Sequence, residues 1–212
     1  MLPRRSRPLL LAALLGLASC NDGDDGPTND AASDPTGGTD ATASGSDDAG
    51  SDVWDAPYCE PVRDGPDWPG ELRAWEDEVL RLTNAARAAG ADCASGGKFD
   101  PTTPLTMNAS LRCAARKHSK DMATRDFFDH TNPEGEDPFD RIGLAGYGSY
   151  SQAGENIAAG TDTPQATVDG WLASPGHCAN IMSPNYSELG VGAFEGPGEY
   201  VYYWTQTFGR PL

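Results

Sequence analysis

The sequence predicts a domain of mixed α and β structure, in which helices precede a β-hairpin that is covered on both faces. Apolar residues recur at helical spacing in two segments, over residues 71–89 and 108–122. Two strand-like segments, 189–194 and 200–208, flank a turn rich in glycine. Large side chains occupy both faces of the second strand, which is typical of a strand buried on each side.

Residues 1–19 have the features of a lipoprotein signal peptide. Three arginines precede an apolar run, Leu9 to Leu17, that is too short to span a bilayer as a stable anchor. The run ends in the sequence LASC, which resembles the lipobox of bacterial lipoproteins, where the chain is cut before a cysteine that receives lipid. We therefore expect export to the cell envelope or the extracellular side and a membrane anchor on Cys20. An ordinary secretory signal is the alternative.

An acidic linker is predicted over residues 20–68, before a folded domain at 69–212. Residues 21–70 contain 13 Asp and Glu residues but a single basic one. Such a segment buries too little apolar area to offset its chain entropy, so we expect it to be disordered. The chain carries a formal net charge of −17 and has no basic patch, so we expect no nucleic-acid partner.

The periodicity also predicts how the first two helices begin and end. The first spans about Glu71 to Ala89 and stops at Gly90. The second begins after Asn108, a favourable N-cap residue. His118 shares the apolar face of this helix, so we interpret it as a core histidine that has a hydrogen-bond partner.

A third helix is predicted from Thr163-Pro164, a cap followed by an N1 proline, to about Ala173. Gly170 within it suggests close packing. The sequence Ser174-Pro175-Gly176 then interrupts the helix and presents His177 at a helix end.

Three polar side chains form the predicted site. His130 opens a loop rich in Asp, Glu, Pro and Gly, Glu155 lies in the apolar segment AGENIAAG, and His177 follows the helix break. A glutamate among apolar residues needs a partner or a raised pKa. We expect the three side chains to share one hollow.

Four cysteines follow Cys20, and an even number in an exported protein predicts two disulfides. Three connectivities are possible. We favour Cys93–Cys178, which ties the loop after the first helix to the His177 segment, and Cys59–Cys113, which ties the end of the linker to the second helix.

Five sequence blocks then identify a resemblance: FFDHTNPEGEDPFDRI, AGENIAAG, WLASPGHCANIM, ELGVG and YWTQTFG. In this order they resemble the signature blocks of the CAP superfamily, and of its bacterial extracellular branch in particular. The resemblance covers about residues 72–209. It implies a three-layer α-β-α sandwich with a central, mostly antiparallel sheet, and it supports the Cys93–Cys178 pairing.

The resemblance also implies a cavity lined by two histidines and two acids. His130, Glu155 and His177 match three of them, but no acid follows the tryptophan of the third helix, where the sequence reads WLAS. Glu134, Glu136 or Asp137 are candidates for the missing acid.

The same three side chains, His130, Glu155 and His177, fit three chemistries. They are suitable ligands for zinc or another divalent cation, suitable acid–base groups, or a structural network that joins three loops. We favour a monomeric binding module for an envelope glycan, lipid or protein over a conventional enzyme. The alternatives are a metal-assisted hydrolase of the peptidase kind and a structural or toxin-like envelope factor without a small ligand.

Overall fold

A computed structural model of the chain describes residues 20–21, 51–66 and 68–212. The predicted signal peptide and most of the predicted linker lie outside these residues. The helices are α1 Ser51–Asp55, α2 Gly70–Ala89, α3 Ala109–Arg125, α4 Pro138–Leu144, α5 Pro164–Ala173 and α6 Pro175–Met182. The strands are β1 Cys20–Asn21, β2 Ala91–Asp92, β3 Lys98–Phe99, β4 Thr106–Met107, β5 Tyr150–Ala159, β6 Glu188–Glu195 and β7 Tyr202–Pro211.

The main sheet has five strands in the order β1-β5-β7-β6-β4. Its strand pairs are antiparallel except for β4 with β6. Strands β6 and β7 form the predicted hairpin, in which Leu189 pairs with Phe208. Strand β5 pairs along its length with β7, and this pairing places Glu155 opposite Thr207.

Helices cover both faces of the sheet, which confirms the predicted three-layer α-β-α sandwich. On one face, α2, α5 and α6 pack on Trp204 and Phe208 of β7. On the other, α3 packs on β6 and β7, and Met122 lies beside Tyr203. The alternation of faces along β7 is as predicted, but the assignment of Val201 to this strand is wrong. Val201 precedes the strand with a φ of 68° and is 40% exposed.

The predicted helix ends are confirmed. The Asn108 side chain accepts a hydrogen bond from the backbone N–H of Leu111 at the start of α3. Thr163 does the same for the N–H of Ala166 at the start of α5. Such caps satisfy backbone donors that a helix leaves unpaired in its first turn.

The packed part of the chain begins earlier than the predicted boundary at residue 68. Val62 and Trp68 are fully buried, and Cys59 is bonded to Cys113 of α3. Trp68 donates from Nε1 to the buried carboxylate of Glu76, at 2.9 Å. The disulfide and the buried indole therefore hold the end of the predicted linker on the domain. The second predicted disulfide, Cys93–Cys178, is also present.

Helix α3 lies directly against the backbone of β6. A Cβ atom added at Gly190 would be 2.0 Å from the carbonyl carbon of Leu111, and one at Gly192 would be 2.4 Å from that of Ala115. No real Cβ contact is that short, so these two glycines allow the close approach. Gly170 behaves differently, because a Cβ there would have no neighbour within 4 Å. The prediction that Gly170 marks close packing is wrong.

We expect Gly192→Ala to lower the free energy of unfolding by about 1–3 kcal/mol or more, because α3 must move away from β6 to admit the methyl group. Gly170→Ala is the matched control. Its methyl group meets open space on α5, so it should leave stability unchanged or raise it by up to about 1 kcal/mol. Urea unfolding of both variants measures the difference, and equal stability of the two would contradict the packing argument.

Candidate functional site

The structure brings two of the three predicted site residues into direct contact. Glu155 lies on β5 and is 1% exposed, and His130 lies in the loop after α3 and is 5% exposed. The His130 ring contacts the Glu155 carboxylate through Nδ1 and Oε1, at 2.8 Å. Because a carboxylate only accepts hydrogen bonds, His130 Nδ1 carries the proton in this pair.

Arg141 of α4 is the main partner of Glu155. Its Nη2 atom donates to both carboxylate oxygens, at 3.0 and 3.1 Å. The same nitrogen donates to the backbone carbonyl of His130, at 2.8 Å, so Arg141 joins the loop, the strand and the helix. Sequence reasoning did not assign a role to this arginine. The signal was present in the block FFDHTNPEGEDPFDRI, where Arg141 is the single arginine or lysine among five acidic residues.

The loop between α3 and α4 is shaped by its own polar side chains. The Asn132 side-chain oxygen accepts from the backbone N–H groups of Glu134 and Glu136, at 3.1 and 2.9 Å. Asp137 then caps α4 in a capping box with Asp140. These bonds fix the direction of α4, and hence the position of Arg141 above Glu155.

Each of the three candidates for the missing acid of the site has its own contacts in the structure. Glu134 is exposed and forms a salt bridge with Arg125, at 2.5 Å. Asp137 is used as the helix cap. Glu136 is half-buried and accepts from the Asn132 side chain, at 2.8 Å. Glu134 and Glu136 both line the cavity that Arg141 lines, but only Glu134 of the two has an ion-pair partner among the described residues.

The electrostatics keep Glu155 ionised. Burial alone would raise the pKa of its carboxyl group, but the charge of Arg141, with contributions from His118 and His130, lowers the pKa to about 2. Glu155 is thus a fixed anion at neutral pH, neutralised by a guanidinium group that is itself 2% exposed.

His118 adjoins this network, with Nε2 at 3.8 Å from Glu155 Oε1. As predicted, it is a fully buried histidine of the core, and its Nε2 bonds to the backbone carbonyl of Asp129, at 2.9 Å. Burial lowers the pKa of His118 to about 4, so the ring is neutral at pH 7. Its other nitrogen, Nδ1, has no hydrogen-bond partner among the described residues.

His177 lies in the first turn of α6 and is only half-buried. Its backbone carbonyl accepts from the Asn156 side chain, at 3.1 Å, and Asn156 in turn accepts from Asn180 of α6, at 3.0 Å. No hydrogen bond joins its ring to Glu155 in the part of the chain that the structure describes. Burial and the nearby charge of His130 lower the pKa of His177 to about 4. The His177 ring therefore stands outside the hydrogen bonds that join Glu155, Arg141 and His130.

The donor set does not fit a metal site built on His130, Glu155 and His177. Both oxygens of Glu155 are occupied by Arg141, whose positive charge would repel a cation. Among the described residues, no group of three or more His, Cys, Asp or Glu side chains has an arrangement that could hold a metal ion. Zinc binding remains a prediction without support from this geometry.

A cavity of about 370 Å³ adjoins the network. His118 and Arg141 are among the residues that line it. Its other walls come from the segment before α2, the exposed face of α3 and the loop before α4. These walls are mostly polar and charged, and include Tyr58, Lys117, Lys120, Asp121 and Glu136.

A sheet covered by helices on both faces, two disulfides and a buried His–Glu pair agree with the domain class that the sequence blocks resemble. The family model for CAP, the cysteine-rich secretory protein family, matches residues 80–208. The chain therefore belongs to the CAP family.

Two Bacillus subtilis proteins are similar in sequence. The uncharacterised protein YkwD is 39% identical over 140 residues, which are 66% of this chain and 49% of YkwD. The uncharacterised membrane protein YlbC is 36% identical over 133 residues, which are 63% of this chain and 34% of YlbC. The chain thus spans half or less of the length of these relatives. No helix in its described part is long and apolar enough to cross a membrane.

Solved structures agree with the fold. An extracellular protein with an SCP domain from Bacillus anthracis has a TM-score of 0.56 and 28% identity, over 72% of this chain and 48% of that one. An outer surface protein from Borrelia burgdorferi has a TM-score of 0.52 and 17% identity, over 68% of this chain and 94% of that one. The second likeness concerns the fold alone.

Proposed function

We propose that this protein is an exported binding module, anchored by lipid on Cys20, whose CAP domain takes a polar ligand of the cell envelope. The observation that carries the proposal is the closed Arg141–Glu155–His130 network beside a polar cavity. The network joins α4, β5 and the loop after α3, so its role is to support the cavity. The extracellular SCP protein of Bacillus anthracis is consistent with export.

The chemistry of the site favours binding over hydrolysis. An effective general base has a pKa near the working pH, whereas the pKa of Glu155 is about 2. The four cysteines of the domain are joined in disulfides, so none of them is a thiolate nucleophile. The metal-assisted hydrolase would require Glu155 to leave Arg141, and no contact in the described residues favours that change.

The lining of the cavity favours a glycan or peptide over a lipid. Lipid and drug-like ligands bind in mostly apolar pockets. Here the exposed face of α3 contributes Lys117, Lys120 and Asp121, and the loop contributes Glu136. A polar ligand can form hydrogen bonds with these groups, whereas an acyl chain cannot.

A fractionation experiment and a binding experiment test the proposal. In bacterial cells that produce the full chain, we expect the wild-type protein in the membrane pellet and Cys20→Ala in the soluble fraction, while the control Ser44→Ala stays with membranes. Sedimentation of Cys20→Ala in the pellet would rule out lipid as the anchor. The soluble variant should then bind isolated cell envelopes more than a reduced, unfolded sample of the same protein. Equal binding of the two samples would contradict a binding module.

A further inference from the structure

Three charged groups in the lining of the cavity form no salt bridge with the residues that the structure describes. Lys117 and Lys120 lie on α3, and Glu136 belongs to the loop before α4. All three residues are half-buried, so their charged groups are still accessible. A charged ligand that enters the cavity would therefore contact these groups first.

Other charged side chains of the lining are neutralised within the protein. Arg125 pairs with Asp121, at 3.2 Å, and with Glu134, at 2.5 Å. Arg141 pairs with Glu155, at 3.0 Å. The charges left for a ligand are therefore two ammonium groups from α3 and one carboxylate from the loop before α4.

The two lysines are held in place by the segment before α2. The Lys117 ammonium lies 5.0 Å from the centre of the Tyr58 ring, which also lines the cavity. The Lys120 ammonium donates to the backbone carbonyl of Pro61, at 3.1 Å. The disulfide of Cys59 fixes this segment on α3. Because the ammonium groups are positioned in advance, a ligand loses less free energy in ordering them.

Tyr58 lies near charges of both signs. Burial raises the pKa of Tyr58 to about 12, while the nearby charge of Arg141 lowers this pKa and that of Glu136 raises it. The hydroxyl group is therefore protonated at neutral pH and can take part in hydrogen bonds. Since the same ring lies beside Lys117, positive and negative groups meet within one small cavity.

A ligand of a single charge sign does not match this pattern. An anion would pair with the two lysines but would meet Glu136 and a chain whose formal net charge is −17. A cation would pair with Glu136 but would be repelled by the lysines. A neutral sugar would form hydrogen bonds with one charged partner, which are weaker than those between two charged groups. A zwitterion, with one carboxylate and one ammonium group, pairs with both kinds of charge.

The size of the cavity limits the zwitterion to a small molecule. At about 370 Å³ the cavity is at the lower end of the range for small-molecule pockets, roughly 300–1,000 Å³. We propose that it binds a zwitterionic peptide of about two residues, with the carboxylate at Lys117 and Lys120 and the ammonium group at Glu136. The inference rests on the proposed function, because it names the ligand class of the same binding module.

Titration of the purified full-length protein, followed by nuclear magnetic resonance of its ¹⁵N-labelled backbone, tests the proposal. The probes are the dipeptide Ala-Ala, its N-acetylated form, its C-terminal amide and N-acetylglucosamine. We expect saturable shifts of α3 amides with Ala-Ala, and binding weaker by about tenfold or more when either end is blocked, because one charged contact is then lost. Equal binding of the blocked forms, or tighter binding of the sugar, would overturn the assignment.

Variants assign each end of the dipeptide to its partner. The double variant Lys117→Met, Lys120→Met should bind Ala-Ala and its amide equally, because the carboxylate has lost its partners. Glu136→Gln should instead bind Ala-Ala and its N-acetylated form equally. Lys98→Met is the matched control, since Lys98 is exposed, pairs with Asp92 and lies outside the cavity lining. It should bind all probes as the wild type does.

A structural role of the lysines would give a different result. It would weaken the binding of every probe by the same factor and leave the preference for a free carboxylate unchanged, which would overturn the proposed contacts. If Ala-Ala does not bind while isolated envelopes still do, the peptide assignment is wrong and the proposed function stands.

Discussion

Arg141→Met is expected to lower the free energy of unfolding by about 3–5 kcal/mol at pH 7, because it leaves a buried carboxylate without its cation. Glu155 is 1% exposed, and its ionisation depends on the guanidinium group. The substitution also removes hydrogen bonds to the backbone carbonyls of His130 and Glu136, at 2.8 and 2.9 Å. Urea unfolding followed by tryptophan fluorescence measures the loss.

Two further variants separate the buried charge from other effects of losing an arginine. Arg125→Met removes an exposed arginine that pairs with Glu134 and Asp121, so it should lower stability far less than Arg141→Met does. The double variant Arg141→Met, Glu155→Leu removes both buried charges and should recover part of the loss. If Arg141→Met costs no more than Arg125→Met, Arg141 does not hold Glu155, and the argument against Glu155 as a base or metal ligand fails.

The elements of the fold could be predicted because their signals are local. Asn108 and Thr163 cap helices through contacts three residues away, and the turn of the β6–β7 hairpin is marked by its own glycines. Val201 was wrongly assigned to β7 because an alternating pattern is also local. It does not show where a strand stops pairing with its neighbour. Gly170 was misread because a glycine in a helix indicates close packing only if a neighbour is present, and the sequence does not show neighbours.

The site was predicted in part because two of its members are polar residues in unusual surroundings. Glu155 lies in an apolar segment, so its need for a partner was evident, but the partner was not. Arg141 reaches Glu155 only because Asn132 and Asp137 direct α4 toward β5, which is a tertiary arrangement without a local signal. The role of His118 could also be predicted only in part. The apolar face of α3 predicts that the ring is buried. That Nδ1 has no hydrogen-bond partner among the described residues depends on tertiary contacts, which the sequence does not show.

Acid is expected to destabilise the domain in two separate pH ranges. The folded-state pKa of His118 and of His177 is about 4, below the ordinary value of 6.5, so between these values the unfolded chain binds more protons. Stability therefore falls as the pH is lowered from about 6.5 to 4. The carboxyl group of Glu155, with a folded-state pKa of about 2 against an ordinary 4.5, adds a further loss only below pH 4.5.

Denaturant unfolding at a series of pH values from 7 to 4 measures the first range. His118 should account for a loss on the order of 3 kcal/mol, and His177 for less, because its ring is partly exposed. His177→Ala is the variant that should remain folded and keep most of the slope. The groups around His118 oppose one another, since Glu155 favours its protonation while Arg141 and His130 disfavour it. A flat profile in His177→Ala would mean that the folded-state pKa of His118 is not lowered from its ordinary value.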